Sequence, residues 1–267
     1  MHQLRWWSVI ALAFALLTGV AGGVQGGTPA DPEIEERAMA ILERVAKVLA
    51  QAQRFSVTVD IGYDVVQDSG QKIEFGETRT IVMRRPDHMR IDTVDRDGSR
   101  RGFIFDGKEL AVFDIEDKVY ATLAKTGTID EAIDYFVNDL GMRLPLSDLF
   151  SSDLPETLRQ VVQAAQYVGQ ETIAGELCDH VAVRGVRTDW QVWVTKGDPP
   201  QFRRVVITYR RSEGQPQFWA QFRDWNFSPD VQDTLFVFRP AEGAVKIPFA
   251  RRQGSEAGEQ EEKGGQR

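Results

Sequence analysis

The 267-residue chain carries few of the side chains that most often bind metals or act as nucleophiles: one cysteine and three histidines. Cys178 alone cannot close an intramolecular disulfide, and its strand-like setting, GELCDHVAV, reads as a buried thiol. His88 and His180 fall in separate segments, RRPDHMRI and CDHVAV, with no partner at metal-ligand spacing, whereas zinc needs three or four converging ligands. Cys178 and His180 share a strand face, but a reactive thiolate needs a specific low-pKa setting that the neighbouring residues do not announce. There is no G-x-S-x-G elbow and no glycine-rich phosphate loop. TVDRDG at 93–98 has the outline of a calcium loop, yet it sets Ile104 where a bidentate Glu is required. Forty acidic residues face 32 basic ones with the signs interspersed, so the clustered basic surface that nucleic acid requires is missing. Among so many acids no pair stands out for sugar hydrolysis. No catalytic residue, metal or cofactor is assigned.

The sequence also lacks a long apolar run. The longest, Val9 to Val20, is shorter than the ~20 residues of a membrane-spanning helix. Arg5 precedes it and small residues follow, the order of a secretory signal peptide, expected over residues 1–26. Cleavage after Ala21, Gly23 or Gly26 fits equally well. No cysteine stands just after the run, so an acylated anchor is not expected, and the shortness of the run leaves no stable transmembrane span expected after processing. Residues 251–267 are polar and rich in Gly, Glu and Gln, and are expected to form a disordered tail. One domain is expected between, over 27–250.

What is present is periodic. Over 33–52, Ile34, Ala38, Ile41, Leu42, Val45, Val48 and Leu49 recur at helical spacing against charges on the other side. The period then drops to two: Phe55, Val57, Val59, Ile61, Tyr63 and Val65 alternate with polar residues or glycine, as in a half-buried strand. Strands follow over about Lys72–Arg84 and Met89–Val94, before FIFDGKELAVFDIEDKVY at 103–120. A loop DGKE pairs Phe103 with Val112 and Phe105 with Leu110, and a two-residue loop leaves all four on the same face. A turn at 114–117 pairs Val112 with Val119, placing Val119, Ala121 and Leu123 on that face too. Asp106, Asp114 and Asp117 are corner residues that bond their own backbone.

Thr128 and Glu131 form a capping box before a helix that Gly141 closes, and ETLRQVVQA at 156–164 reads as a third helix. Strands resume over Gln166–Ile173, Cys178–Arg184, Thr188–Thr195, Arg203–Arg211, Gln217–Phe227 and Thr234–Phe238. In the aromatic C-terminal half, Val205, Ile207, Tyr209, Phe218 and Phe222 face inward, leaving Trp219 and Trp225 outward or at the rim. The fold expected is α+β but mainly β. About eleven or twelve antiparallel strands form a strongly curved sheet, an incomplete barrel, with three helices over its concave face.

MRRPDHMRID at 83–92, FIFDGKELAVFD at 103–114 and KVYATL at 118–123 resemble the RP-x-x-x-R … DG … YD succession of LolA/LolB-like periplasmic lipoprotein carriers. GELCDHVAV, DWQVWVTKGDPPQFRRVVITY, GQPQFWAQFRDWNF and FRPAEGAVKIPF resemble the predicted periplasmic proteins grouped as domain of unknown function 2092. The resemblance spans about residues 35–249. It implies a periplasmic location and an open barrel whose hollow holds acyl chains. The function expected is a non-enzymatic carrier of a lipid, lipoprotein acyl chain or other hydrophobic molecule. Its expected lining is Val57, Val59, Ile61, Phe103, Phe105, Leu110, Val112, Val205, Ile207, Tyr209, Phe218 and Phe222, with residues 128–163 as a cover. Two alternatives remain: a helix-filled module that binds another cell-envelope protein, and a carboxylate-dependent hydrolase.

Overall fold

A computed structural model describes residues 33–139 and 146–249 of the chain. The expected signal peptide, the polar tail and the helix stop at Gly141 lie outside these residues.

Six strands form a first antiparallel meander: β1 (Arg54–Val66), β2 (Lys72–Arg84), β3 (His88–Asp95), β4 (Arg100–Phe105), β5 (Glu109–Asp114) and β6 (Val119–Ala124). A second contains β7 (Val162–Ile173), β8 (Glu176–Gly185), β9 (Thr188–Thr195), β10 (Phe202–Tyr209) and β11 (Gln217–Asn226). Pairing of β1 with β11 fuses the two, and a short β12 (Val245–Lys246) runs parallel to β6. The result is one twelve-stranded sheet in the order β12-β6-β5-β4-β3-β2-β1-β11-β10-β9-β8-β7. Its ends do not pair, so the curled sheet remains an open, incomplete barrel, in agreement with the expected fold class.

The alternation in β1 does what the sequence requires: Phe55, Val57, Val59 and Ile61 are buried, and only the far end, at Tyr63 and Val65, leaves the core. Helix α1 (Glu36–Gln51) buries Ala38, Ile41, Leu42, Val45, Ala46 and Leu49 in the same continuous cluster. Ile34 is not on that helical face; it forms an isolated parallel bridge with Ala165. Helix α2 (Ile129–Asp134) starts at the expected capping box and widens into a π-helical turn, Tyr135–Asp139. Helix α3 spans Leu154–Val161. It begins before the expected Glu156 because Pro155, in the first turn, has no intrahelical hydrogen bond to lose. It stops early because Val162 and Ala165 join the ladder with β8.

Three further differences have local causes. The strand expected over Thr234–Phe238 is instead a 3-10 turn, Asp233–Phe236, whose Phe236 ring lies edge-on to His88 at 5.1 Å. The β5–β6 register differs by two residues, with Val112 opposite Ala121 rather than Val119. Because side chains alternate with period two, this slip leaves Val119, Ala121 and Leu123 on the anticipated face. Trp225 faces inward, contrary to expectation. A bulge sets Ser56 opposite Asn226 but Thr58 opposite Arg223, with Asp224 at φ 56°, and the extra residue reverses the alternation. The indole stacks 5.7 Å from Phe222 and donates its Nε1–H to the Phe202 carbonyl at 2.9 Å.

Candidate functional site

Strand registers assemble the inner face of the first meander into rows. The deepest is Met83–Met89–Phe105–Leu110–Leu123, of which all but Leu123 belong to the core cluster. The next, Ile81–Ile91–Phe103–Val112–Ala121, runs across β2 to β6 and forms an apolar floor. One step toward the rim the chemistry changes to Arg79–Thr93–Arg101–Asp114–Val119. Above the floor stand Ile133 and Phe136 of α2 and its π turn, Phe150 of the 3-10 turn Ser147–Phe150, and Ile247 beyond β12. Phe136 meets Phe103 edge-on at 5.3 Å, and Phe150 stacks on Phe55 at 5.9 Å. Between floor and roof is a half-open cavity of about 370 Å³.

At the rim, Glu77 is held in an ion-pair network. One carboxylate oxygen meets Arg79 and the other meets Arg101, whose second arm reaches Asp95. The Glu77 side chain is only 3% exposed. Such a charge is tolerated because both of its oxygens are paired. Thr93 is buried beside these groups, and Asp114 accepts the Asp117 N–H at 2.9 Å.

Of the expected lining, the structure brings Phe103 and Val112 into the cavity wall. Val57, Val59, Ile61, Phe105, Leu110, Val205, Phe218 and Phe222 are packed in the core cluster with α1, and Ile207 and Tyr209 are half-buried against it. These ten are not among the residues that line the cavity; they belong to, or pack against, the core cluster that holds the apolar stripe of α1. Missed were Ile81 and Ile91, which continue the Phe103–Val112 row by the same alternation, and the charged rim, which interrupts it.

A second depression, about 490 Å³, has a mixed polar and apolar lining that includes Asp130, Glu131, Asp134, Asp148 and Asp153. Most of these acids hold local structure. Asp130 accepts from Ser152 N and Oγ, Glu131 closes the capping box, Asp134 accepts from Asn138, and Asp153 is bonded to Ser151. Burial, with repulsion from Asp153, raises the pKa of Asp148. Among the described residues no three His, Cys, Asp or Glu converge as metal ligands. On the outer face His180 stacks on Trp193 at 4.1 Å and contacts Glu171 and Gln191 at 3.0 and 3.2 Å. Cys178 is buried there.

A family model described as "Predicted periplasmic protein (DUF2092)" matches residues 38–250. The chain belongs to that family. No curated protein matches it. Solved structures similar to this DUF2092 chain include LprF from Mycobacterium bovis, at 13% identity and TM-score 0.48, covering 75% of this chain and 97% of that one. Mycobacterium tuberculosis lipoprotein LppX is 16% identical with TM-score 0.46, covering 73% and 98%. A LolA superfamily protein from Nitrosomonas europaea is 13% identical with TM-score 0.36, covering 75% and 97%. No helix among the described residues of the DUF2092 chain is long and apolar enough to cross a membrane.

Proposed function

We propose that this DUF2092 protein is a periplasmic, non-enzymatic binding protein that holds the apolar chain of a lipid or similar molecule between the sheet and α2. The observation that carries the reading is the cavity. An unfilled floor of Ile81, Ile91, Phe103, Val112 and Ala121 lies under an aromatic roof, and its volume of about 370 Å³ is in the range of ligand sites. An apolar ligand there removes surface from water on both sides, the main driving force for such binding. The roof comes from short helical segments, the kind of element that opens at low free-energy cost.

The uncharged fluorophore N-phenylnaphthylamine tests this directly. Saturable binding is expected, and Ile91→Trp or Val112→Phe, which put bulk into open space, should abolish it without lowering the thermal midpoint. Native mass spectrometry of protein extracted from an envelope should show bound lipid. A chain that takes up no apolar probe and carries no lipid would instead be a module whose helices serve only to complete its core.

A further inference from the structure

We infer that the head group this cavity accepts is uncharged, an alcohol or ester oxygen on a single apolar chain, and that free fatty acids are disfavoured. The inference rests on the reading of the cavity as a lipid site. The rows above define a direction, from Met89 and Phe105 at the closed end, across Ile91 and Phe103, to Arg79, Thr93, Arg101 and Asp114 at the rim. An amphiphile lying along the strands puts its tail over the floor and its head at the rim.

Two arginines at the rim invite the expectation of an anionic head, but their pairing argues against it. Arg79 and Arg101 each hold one oxygen of Glu77, and Arg101 also holds Asp95. With Asp114 in the wall, three negative groups face two positive ones, so the set sums to −1. Glu77 already offsets the charge of both arginines, and a carboxylate that drew either guanidinium away from it would strand a buried charge, which is strongly unfavourable. Asp114, opposite Arg101 in the register, would in addition repel the incoming anion. A cationic head could approach Asp114 but would also stand against the Arg79 and Arg101 guanidinium groups that line the same wall. An uncharged oxygen meets donors and acceptors without disturbing the network, and the Thr93 side chain stands among them in the wall.

Displacement of N-phenylnaphthylamine by monopalmitoylglycerol, palmitate and hexadecylamine, at neutral pH and below their critical micelle concentrations, tests the inference. Monopalmitoylglycerol is expected to displace the probe at concentrations about tenfold lower than either charged amphiphile, the order of one unscreened like-charge contact. Asp114→Asn keeps an acceptor for the Asp117 N–H and removes one negative charge, so it should narrow the gap for palmitate and widen it for hexadecylamine. Palmitate or hexadecylamine binding as tightly as the glyceride would overturn the inference, while the bound fluorophore leaves the lipid site intact. Gaps unchanged by Asp114→Asn would overturn the role given to the rim charges. Failure of the fluorophore itself to bind would sink the lipid site, and the head-group assignment with it.

Discussion

A β-carbon on Gly62 would sit 2.4 Å from the Trp219 indole, which lies flat across the outer face of β1. The indole is fixed there by its Nε1–H, which donates to Glu74 at 3.0 Å, and by the Arg204 guanidinium 5.3 Å from the ring. Trp219 therefore faces outward as the alternation requires, but it is spread over glycine rather than projecting toward a partner. Gly62→Ala must push the ring away and weaken the bond to Glu74. A loss of about 1–3 kcal/mol in urea denaturation is expected, with a shifted tryptophan emission. Cys178 gives a second prediction at this scale. The thiol is fully buried, and burial, then the charge of Glu176, raises its pKa. Ellman's reagent should leave it unmodified in the folded protein at neutral pH and titrate one thiol in denaturant; rapid reaction of the native chain would refute its burial.

Among the elements, β1 joins the two meanders, and its outward Asp60 ties it to both neighbours. Thr78 Oγ1 of β2 donates to the carboxylate at 2.8 Å, and Arg223 Nε of β11 donates at 3.1 Å. Burial pushes the pKa of Asp60 up, but the hydrogen bonds of Arg223 and Thr78 outweigh it, and the net shift is downward. A carboxylate whose folded pKa is depressed contributes stability that is present above its unfolded value, about pH 4, and is lost as pH falls through the folded value. Thermal midpoints should therefore drop as pH is lowered below about 4, and Asp60→Asn should reduce that drop while costing stability at neutral pH. An identical acid limb in the variant would remove Asp60 from the account. At this scale much was legible beforehand. The shared face of Phe103, Phe105, Leu110 and Val112 follows from either hairpin loop, the structure selecting the DGKE register, and α2 follows from its capping box. The bulge at Asp224 was not legible, since nothing in QFWAQFRDWNF marks which residue will be skipped, and Trp225 changed faces with it.

For the molecule as a whole, the inner face divides into a filled half and an open one. Phe222 is fully buried against Phe202 and Trp225, so Phe222→Ala should cost about 3–5 kcal/mol in chemical denaturation. Substitutions that add bulk at the cavity floor should instead leave stability intact, and this contrast within one sheet is the mechanical test of the division. Period-two alternation, corner acids and an amphipathic helix already determined that one face of a curved sheet is apolar and that helices cover it. Only the tertiary structure decided where the cover stops short. Alternation reports the face on which a side chain lies, not the distance to whatever stands opposite. The apolar stripe of α1 and the floor beneath α2 are equally hydrophobic in sequence. The first is buried in one packed cluster with Val59 and Phe222, whereas Ile91 and Val112, at the edge of that cluster, line a cavity together with Phe136 and Phe150. The charged rim was hidden for a related reason: only the register sets Arg79 and Arg101 beside Glu77, where pairing allows them to face inward.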